Sequence, residues 1–325
     1  MKAAVYRPGV VQIRDVPMPV PKDKEVLVRI QATTICAADY RLKTTPHALG
    51  WVMGLWRSNR TTILGMELSG TVEALGPGAS RFRLGDAVFG GTGFKLGAHA
   101  EYACVPEFQL ELRPSNMTAE ESAAVSFGGL TALYSLRKAR LQGQNVLIYG
   151  ASGSVGVFAV QLAKHFGARV TAVCSTANVE MVRAIGADVV VDYTKEDFSR
   201  SGRVYDTIVD TVGKAGISRT LKALKRGGPI IGIGVDGDTM SRVLISILRT
   251  VPVQLWLSLT GAAKPMGGVT KPEPGDLAFL KGLIEAGQLK TVIDRCYPLD
   301  QIEEAHLYAA RGHKKGHVVI RVAMS

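Results

Sequence analysis

The chain contains no Cys-x-x-Cys pair. Cys36, Cys104, Cys174 and Cys296 lie far apart, which argues against a disulfide framework or a structural zinc knuckle and fits a reducing, cytoplasmic setting. No apolar run has the length needed to span a bilayer, and the start lacks the charged-then-apolar layout of a signal peptide, so a soluble protein is expected. There is no internal repeat, no low-complexity tract, no basic tail and no stripe of interleaved aromatics. The net charge of +11 divides into excesses of +4 over residues 1–118, +5 over 119–260 and +2 over 261–325. Both signs are interspersed, so the excess reads as solvated surface, and no dedicated nucleic-acid or membrane partner is expected. What is present is core material: 46% of the 325 residues are hydrophobic, enough for one large or two ordinary domains.

Two textures divide the chain. Over the first hundred or so residues, short alternating runs such as 25–30, 70–75 and 86–90 are separated by glycine, proline and charge clusters, which is strand-and-turn chemistry. From about Ala119, apolar runs of four or five residues alternate with helix-length amphipathic segments, as in a parallel sheet with crossover helices. Strands are expected at 145–149, 169–173, 189–192, 207–210 and 229–233. Helices are expected at 276–286 and 299–312, before a last strand at 317–322.

The most informative segment is the apolar run 145–149 followed by Gly150, Ala151, Ser152, Gly153, Ser154, Val155 and Gly156 and then a helix closed by Gly167. Gly150 permits a sharp turn, Gly153 removes a Cβ that would block a pyrophosphate, and Gly156 lets helix and strand pack closely. A glycine triplet alone is a weak signal, and Ala151 separates this one from the usual pattern. A strand before it, a helix after it and a second strand on schedule strengthen it into a dinucleotide-binding turn. Where an NAD-specific fold places Asp or Glu, at the end of the second strand, stand Cys174, Ser175 and Thr176. With no carboxylate to repel a 2′-phosphate, and with Ser175, Thr176, Tyr193 and Lys195 as donors, NADPH is the expected cofactor. The alternative use of the two hydroxyls is to cap the next helix.

Further stretches carry a family resemblance: the MKAAVY start, ILGMELSG at 63–70, RLGDAVF at 83–89, GAHAEY at 97–102, FGGLTA at 127–132, GASGSVG at 150–156, IGAD at 185–188 and DYTKEDF at 192–198. Over essentially its whole length the chain resembles the medium-chain dehydrogenase/reductase superfamily, in particular its zinc-independent quinone oxidoreductase and enone reductase branch. The resemblance implies an α/β protein: a GroES-like β-rich catalytic domain from residues 1–118 with 265–325, a Rossmann doubly wound parallel sheet over 119–264, and an active site in the cleft between them. It also implies a homodimer. It places Thr131 near the nicotinamide, and Val212, Gly232 and Ile233 complete the candidate cofactor contacts.

Zinc enzymes of the superfamily take their catalytic metal from a Cys in C-x-x-D, a His in G-H-E and a further Cys or acidic ligand before the cofactor domain. Here Cys36 and Asp39 keep the first motif, but Met66 occupies the His position and Phe127 the third. Thioether and phenyl cannot replace imidazole and thiolate. Residues 86–101 contain no cysteine, so the structural-zinc lobe is absent too, and no metal is expected. Without a Lewis acid, alkoxide oxidation is disfavoured, whereas an enone or quinone accepts hydride if donors receive the enolate charge and solvent or one hydroxyl supplies the proton. Related reductases commonly carry Asn at the position of Cys36. Tyr40, with Cys36 and Asp39, is therefore the candidate catalytic group, against the alternative that Tyr40 only packs; His99 is a further titratable candidate, although a single His on a strand is more often structural.

Two apolar stretches, 49–56 and 243–257, the latter interrupted by Arg249 and Pro252, fall where this architecture has pocket-lining loops. Trp51, Trp56, Leu255 and Trp256 are thus candidate walls of a greasy acceptor pocket, against packing in the core or at a subunit interface. The leading expectation is an NADPH-dependent, zinc-independent oxidoreductase acting on a quinone or enone. A zinc-type alcohol or aldehyde dehydrogenase is the competing enzyme, and an NADPH-binding sensor contacting RNA or a membrane surface is the competing class.

Overall fold

The computed structural model describes residues 1–7, 10–45, 62–234, 236–237, 239–268 and 270–322. The N-terminal half is β-rich. Strands β1 (Lys2–Arg7), β2 (Val10–Asp15) and β4 (Thr62–Ile63) form a small antiparallel sheet in the order β2-β1-β4. Beside it, β3 (Glu25–Ile35) is the axis of a second sheet with β5 (Glu67–Leu75), β6 (Ala87–Gly91), β7 (Tyr102–Pro106) and β8 (Leu110–Leu112). Val26, Val28, Ile30, Leu68, Val88 and Val105 point into one buried cluster.

The parallel sheet begins with β9 (Asn145–Tyr149) and adds β10 (Arg169–Cys174), β11 (Val189–Asp192), β12 (Thr207–Asp210), β13 (Pro229–Gly232) and β14 (Lys264–Gly267) in the order β11-β10-β9-β12-β13-β14. Val146, Leu147 and Ile148 are all fully buried because helices cover both faces, which is why the run is continuously apolar rather than alternating. One face packs on the helices Ser126–Leu136, Ser154–His165 and Asp276–Glu285; the other holds Phe198, Tyr205 and Ile208. Each fully buried aliphatic side chain contributes about 1.5–3 kcal/mol. The Ser154–His165 helix stops where Gly167, at φ 79°, turns left-handed and the Ala168 N–H returns to the Ala163 carbonyl at 3.0 Å, a Schellman closure that the glycine makes possible.

After β14 the chain returns to the β-rich half. β15 (Ile293–Pro298) pairs with β16 (His317–Arg321), and β16 lies antiparallel to β3, with Val319 opposite Thr34. Both chain ends thus build one half, and the parallel sheet is inserted between them.

Three details depart from the sequence expectations. The boundary drawn after residue 264 falls inside β14, whose four residues pair with β13 throughout; proline and paired glycines hid this strand. The short helix Ala119–Ala123, opened by a Thr118–Glu121 capping box, packs Ala123 against Ala32 and Val319 of the β-rich half, so the first boundary was also drawn a few residues too early. Residues 240–260 are one continuous helix, Met240–Thr260, running through Pro252. Pro252 forfeits one backbone hydrogen bond, that to the Leu248 carbonyl, on a stretch that is exposed to solvent.

Candidate functional site

The order of the parallel sheet reverses at β9, whose neighbours β10 and β12 lead away in opposite directions. A crevice opens beyond the carboxyl ends of the strands at such a switch point, and ligands bind there. The turn after β9 fills it. Gly150 has φ 80°, and a Cβ on it would stand 2.2 Å from Val212 Cγ2. A Cβ on Gly156 would lie 2.2 Å from the Gly150 carbonyl oxygen. At Gly153, by contrast, the nearest atom to a Cβ is the Gly150 carbonyl oxygen at 3.6 Å, so that side of the turn is open. The open side faces the start of the Ser154–His165 helix, where unpaired N–H groups favour an anion.

A positively charged side chain reinforces that position. Half-buried Lys314 reaches from the segment before β16 and donates to Ser154 Oγ and, at 2.5 Å, to the Gly316 carbonyl. Burial lowers its pKa from the usual lysine range to about 8, against the opposing pull of Cys36, Glu67 and Asp294. The segment is clamped to the turn: the Gly316 N–H donates to the Ser152 carbonyl at 2.7 Å, and Ser154 Oγ donates to the Gly316 carbonyl at 3.0 Å. The sequence reading did not single out Lys314; the adjacent pair Lys314 and Lys315 just before the last strand was the available signal.

At the end of β10, Asn178 is buried and its amide Nδ2 donates to Ser152 Oγ at 3.0 Å and to Ser175 Oγ at 3.2 Å. Asn178 was not foreseen either. Ser175 therefore lies beside the turn, but Thr176 is turned away: its hydroxyl donates to Asp192 Oδ2 at 2.5 Å. Tyr193 is exposed, and Lys195 Nζ stands 3.7 Å from Asp192. Val212 abuts Gly150, while Gly232 ends β13 opposite Asp210 and Ile233 follows it, its N–H donating to the Asp210 backbone carbonyl at 2.9 Å. Thr131 Oγ1 lies 3.5 Å from Thr270 Oγ1.

On the β-rich side of the cleft, Cys36 precedes the helix Ala37–Lys43. Asp39 accepts the Cys36 N–H at 2.8 Å on one oxygen and the Gly65 N–H at 3.1 Å on the other, so it ties this helix to the Gly65 turn. Cys36 Sγ is 4.0 Å from Met66 Sδ. Burial, with Asp39 and Glu67 nearby, pushes the Cys36 thiol well above its usual range. Tyr40 packs against the β-rich core.

Glu67 points behind this pair. It accepts the Thr34 hydroxyl, the Phe127 N–H at 2.7 Å and the Ser126 hydroxyl at 3.3 Å. Burial raises its carboxyl to about 7, although the hydrogen bonds from Thr34 and Phe127 act the other way. The donor set does not suit zinc: a single thiol, a thioether where an imidazole would be needed, and a carboxyl group already engaged with three donors. Among the described residues no group of three or more His, Cys, Asp or Glu side chains is arranged to hold a metal ion.

Because the folded protein keeps a proton on Glu67 that the unfolded chain releases near its ordinary value of 4.5, stability falls as pH rises from there to about 7. Glu67→Gln is therefore expected to raise the melting temperature by about 3 °C or more at pH 8, with little change at pH 5. Equal shifts at the two pH values, measured by calorimetry, would contradict this.

His99 belongs to a separate buried network. Its Nε2–H donates to the Thr34 carbonyl at 2.9 Å, which leaves Nδ1 to accept the Tyr6 hydroxyl at 2.8 Å; the Tyr6 oxygen then accepts His306 Nε2–H at 2.7 Å. These tautomers follow from donor and acceptor counting. Burial lowers the pKa of both histidines, that of His306 to about 2. The group is a neutral strut in the β-rich core.

Trp51 and Trp56 lie outside the described residues. Leu255 and Trp256 do not join the cleft: they stand on the exposed surface of the Met240–Thr260 helix, where Trp256 lines a shallow groove with Ile217, Leu221 and Val253. The helix starts near the cleft, since Arg41 Nε donates to the Gly237 carbonyl at 3.0 Å, but sixteen residues at 1.5 Å each carry Trp256 about 24 Å along it.

A glycine turn at the switch point of a parallel sheet, facing a β-rich lobe built from both chain ends, defines a two-domain dehydrogenase architecture. The comparisons agree. Residues 22–115 match the alcohol dehydrogenase GroES-like domain and residues 185–320 match the zinc-binding dehydrogenase family. The chain is 31% identical over 327 residues to a chloroplast envelope quinone oxidoreductase homolog of Arabidopsis thaliana, covering 94% of this chain and 92% of that protein. It is 30% identical to a 2-methylene-furan-3-one reductase of Solanum lycopersicum, covering 94% and 74%. The quinone oxidoreductase of Coxiella burnetii superposes with a TM-score of 0.82 at 27% identity, covering 99% of this chain and 98% of that one. The chain belongs to the medium-chain dehydrogenase/reductase superfamily, in its zinc-independent quinone oxidoreductase and enone reductase branch.

Proposed function

We propose that the chain is an NADPH-dependent reductase that passes hydride to a quinone or an α,β-unsaturated carbonyl without a metal. The observation that carries this reading is the open turn at Gly153, with Lys314 beside it, facing a Cys36–Met66 wall whose donors do not suit zinc. A bound nicotinamide supplies the hydride. The 150–156 turn and Lys314 hold its diphosphate, Ser175 and Tyr193 meet the adenosine ribose and its phosphate, and Thr131, Val212, Gly232 and Ile233 border the nicotinamide half. Cys36 and Met66 form an apolar wall that favours an uncharged acceptor and keeps water away from the transfer. Asp39 sets the position of the Cys36 backbone, and Tyr40 is the hydroxyl assigned to proton delivery. Thr176, held by Asp192, drops out of the phosphate contacts.

One observation favours a second cofactor reading: the Asp192 carboxylate beside the ribose end would oppose a 2′-phosphate and suit NADH. Its charge is already answered by Thr176, Thr194 and Lys195, so NADPH is preferred here. A homodimer is part of the proposal, supported by the position of β14 at the edge of the parallel sheet. A reducing, cytoplasmic setting is too, supported by four free cysteines. The test is oxidation of NADPH, with NADH alongside, by metal-stripped protein offered quinones, enones, aldehydes and ketones. Turnover of quinones or enones with NADPH preferred is the expected result. Turnover of aldehydes only after zinc is restored would replace this reading with a zinc dehydrogenase, and tight NADPH binding without turnover would replace it with a sensor.

A further inference from the structure

The Met240–Thr260 helix presents its apolar side to the outside. Leu244, Leu248, Val251, Leu255 and Leu259 are separated by steps of four, three, four and four residues, so they form one stripe along a helix of 3.6 residues per turn. All five are exposed, Leu248 by 73% and Leu259 by 78%. Of the most apolar 18-residue window of this helix only 6% is buried. The protein body is met by the other side, through Val243 and Leu257. Ile245 and Trp256 flank the exposed stripe, and both are about half exposed.

We propose that this exposed face is a membrane-docking surface, which settles in the headgroup region of an anionic lipid bilayer with the helix lying in the membrane plane. The orientation follows from the attachment. Val243 near one end and Leu257 near the other are both packed into the body, so the helix lies along the protein over its whole length and does not leave it to cross a bilayer. A surface helix with an aliphatic stripe and a flanking tryptophan is suited to the boundary between headgroups and acyl chains.

Charge decides between lipid and a second copy of the chain. From residue 239 to residue 272 there is no Asp or Glu, while Arg242, Arg249, Lys264 and Lys271 are all basic. A two-fold pairing of this face would set the same positive segment against itself, whereas an anionic lipid surface attracts it. Arg249 is exposed beside the stripe, where its long stem can carry the guanidinium group to a lipid phosphate. The apolar stripe distinguishes the partner from a nucleic acid, which would need charge and stacking rather than five aliphatic side chains. Arg41, in the cleft-side helix, holds Gly237 just before this helix begins. Docking therefore brings the mouth of the cleft to the bilayer, where apolar molecules concentrate. The docking itself does not depend on which acceptor the cleft takes.

The test is flotation of the full-length protein with vesicles of phosphatidylcholine alone or of phosphatidylcholine with phosphatidylglycerol, at low and high salt. Binding to the anionic vesicles is expected, weaker at high salt and at least about tenfold weaker on neutral vesicles. The double variant L248Q/L259Q should lose most of the binding while keeping its melting temperature, because both side chains are exposed. Hydrogen exchange on the unmodified protein supplies a readout without substitution: amides at the two ends of the helix and along the exposed stripe should slow when anionic vesicles are added. No vesicle binding, or equal binding by L248Q/L259Q, would overturn the proposal. So would a dimer that L248Q/L259Q converts to monomer without any vesicle binding, which would assign the face to a second copy. Retention on RNA that survives the substitutions, again without vesicle binding, would overturn it as well.

Discussion

Gly153→Val is expected to weaken NADPH binding by at least about a hundredfold, with the melting temperature of the nucleotide-free protein changed by less than about 2 °C. The structure separates these two effects because the three glycines of the turn are glycines for different reasons. Side chains at Gly150 or Gly156 would collide with Val212 or with the Gly150 carbonyl at 2.2 Å and would disturb the fold. At Gly153 the backbone lies at φ −82°, which any residue adopts, and a Cβ meets nothing closer than 3.6 Å. A valine therefore fits the protein and occupies only the space assigned to the diphosphate. Nucleotide titration by fluorescence and thermal unfolding in the absence of nucleotide measure the two quantities. Unimpaired binding would remove the turn from the cofactor site.

Lys314→Met is expected to raise the dissociation constant for NADPH about tenfold or more, the size of one charge-assisted hydrogen bond to an anion at a half-buried position. It should also remove a pH dependence. The free protein loses the Lys314 proton as pH rises through about 8, so the unmodified protein should bind NADPH progressively less well above that pH. The variant should bind weakly and with little change over the same range. The fold responds with the opposite sign. Lys314 is neutral in the folded state between about 8 and its ordinary value of 10.5 while the unfolded chain still carries the proton, so the nucleotide-free protein gains stability as pH climbs through that window. Equal pH profiles for the two proteins would show that Lys314 does not meet the phosphates.

The parallel sheet was legible in sequence because its strands are buried on both faces. The centres of such runs, Val146–Ile148 and Ile208–Val209, are apolar on both faces, and the observed strands begin and end at residues 145–149 and 207–210. β14 was not legible: Lys264, Pro265, Met266 and Gly267 have no strand-like pattern and pair only because β13 supplies an edge. The 240–260 helix was read as an apolar stretch over 243–257 interrupted by Arg249 and Pro252, and as pocket wall because apolar residues are normally covered. Neither inference anticipates a helix held at its margins and bare along its outer face. In the site, the glycine turn was visible because its residues are contiguous. Lys314, Asn178 and the Asp192 hold on Thr176 were not, since each pairs residues at least 16 positions apart whose meeting only the fold decides.

The clamp between the 150–156 turn and Gly316 also bears on how the protein is made. A nascent chain that has already folded its parallel sheet still lacks Lys314 and the Gly316 backbone, because both follow every strand of that sheet in the sequence. β16 must then insert beside β3, made nearly three hundred residues earlier. Such long-range pairing is slow compared with local helix formation. On the proposed cofactor reading, the nucleotide site is therefore complete only once residue 316 has been made, and a chain that stops short of residue 314 has its parallel sheet but not the lysine proposed to meet the diphosphate.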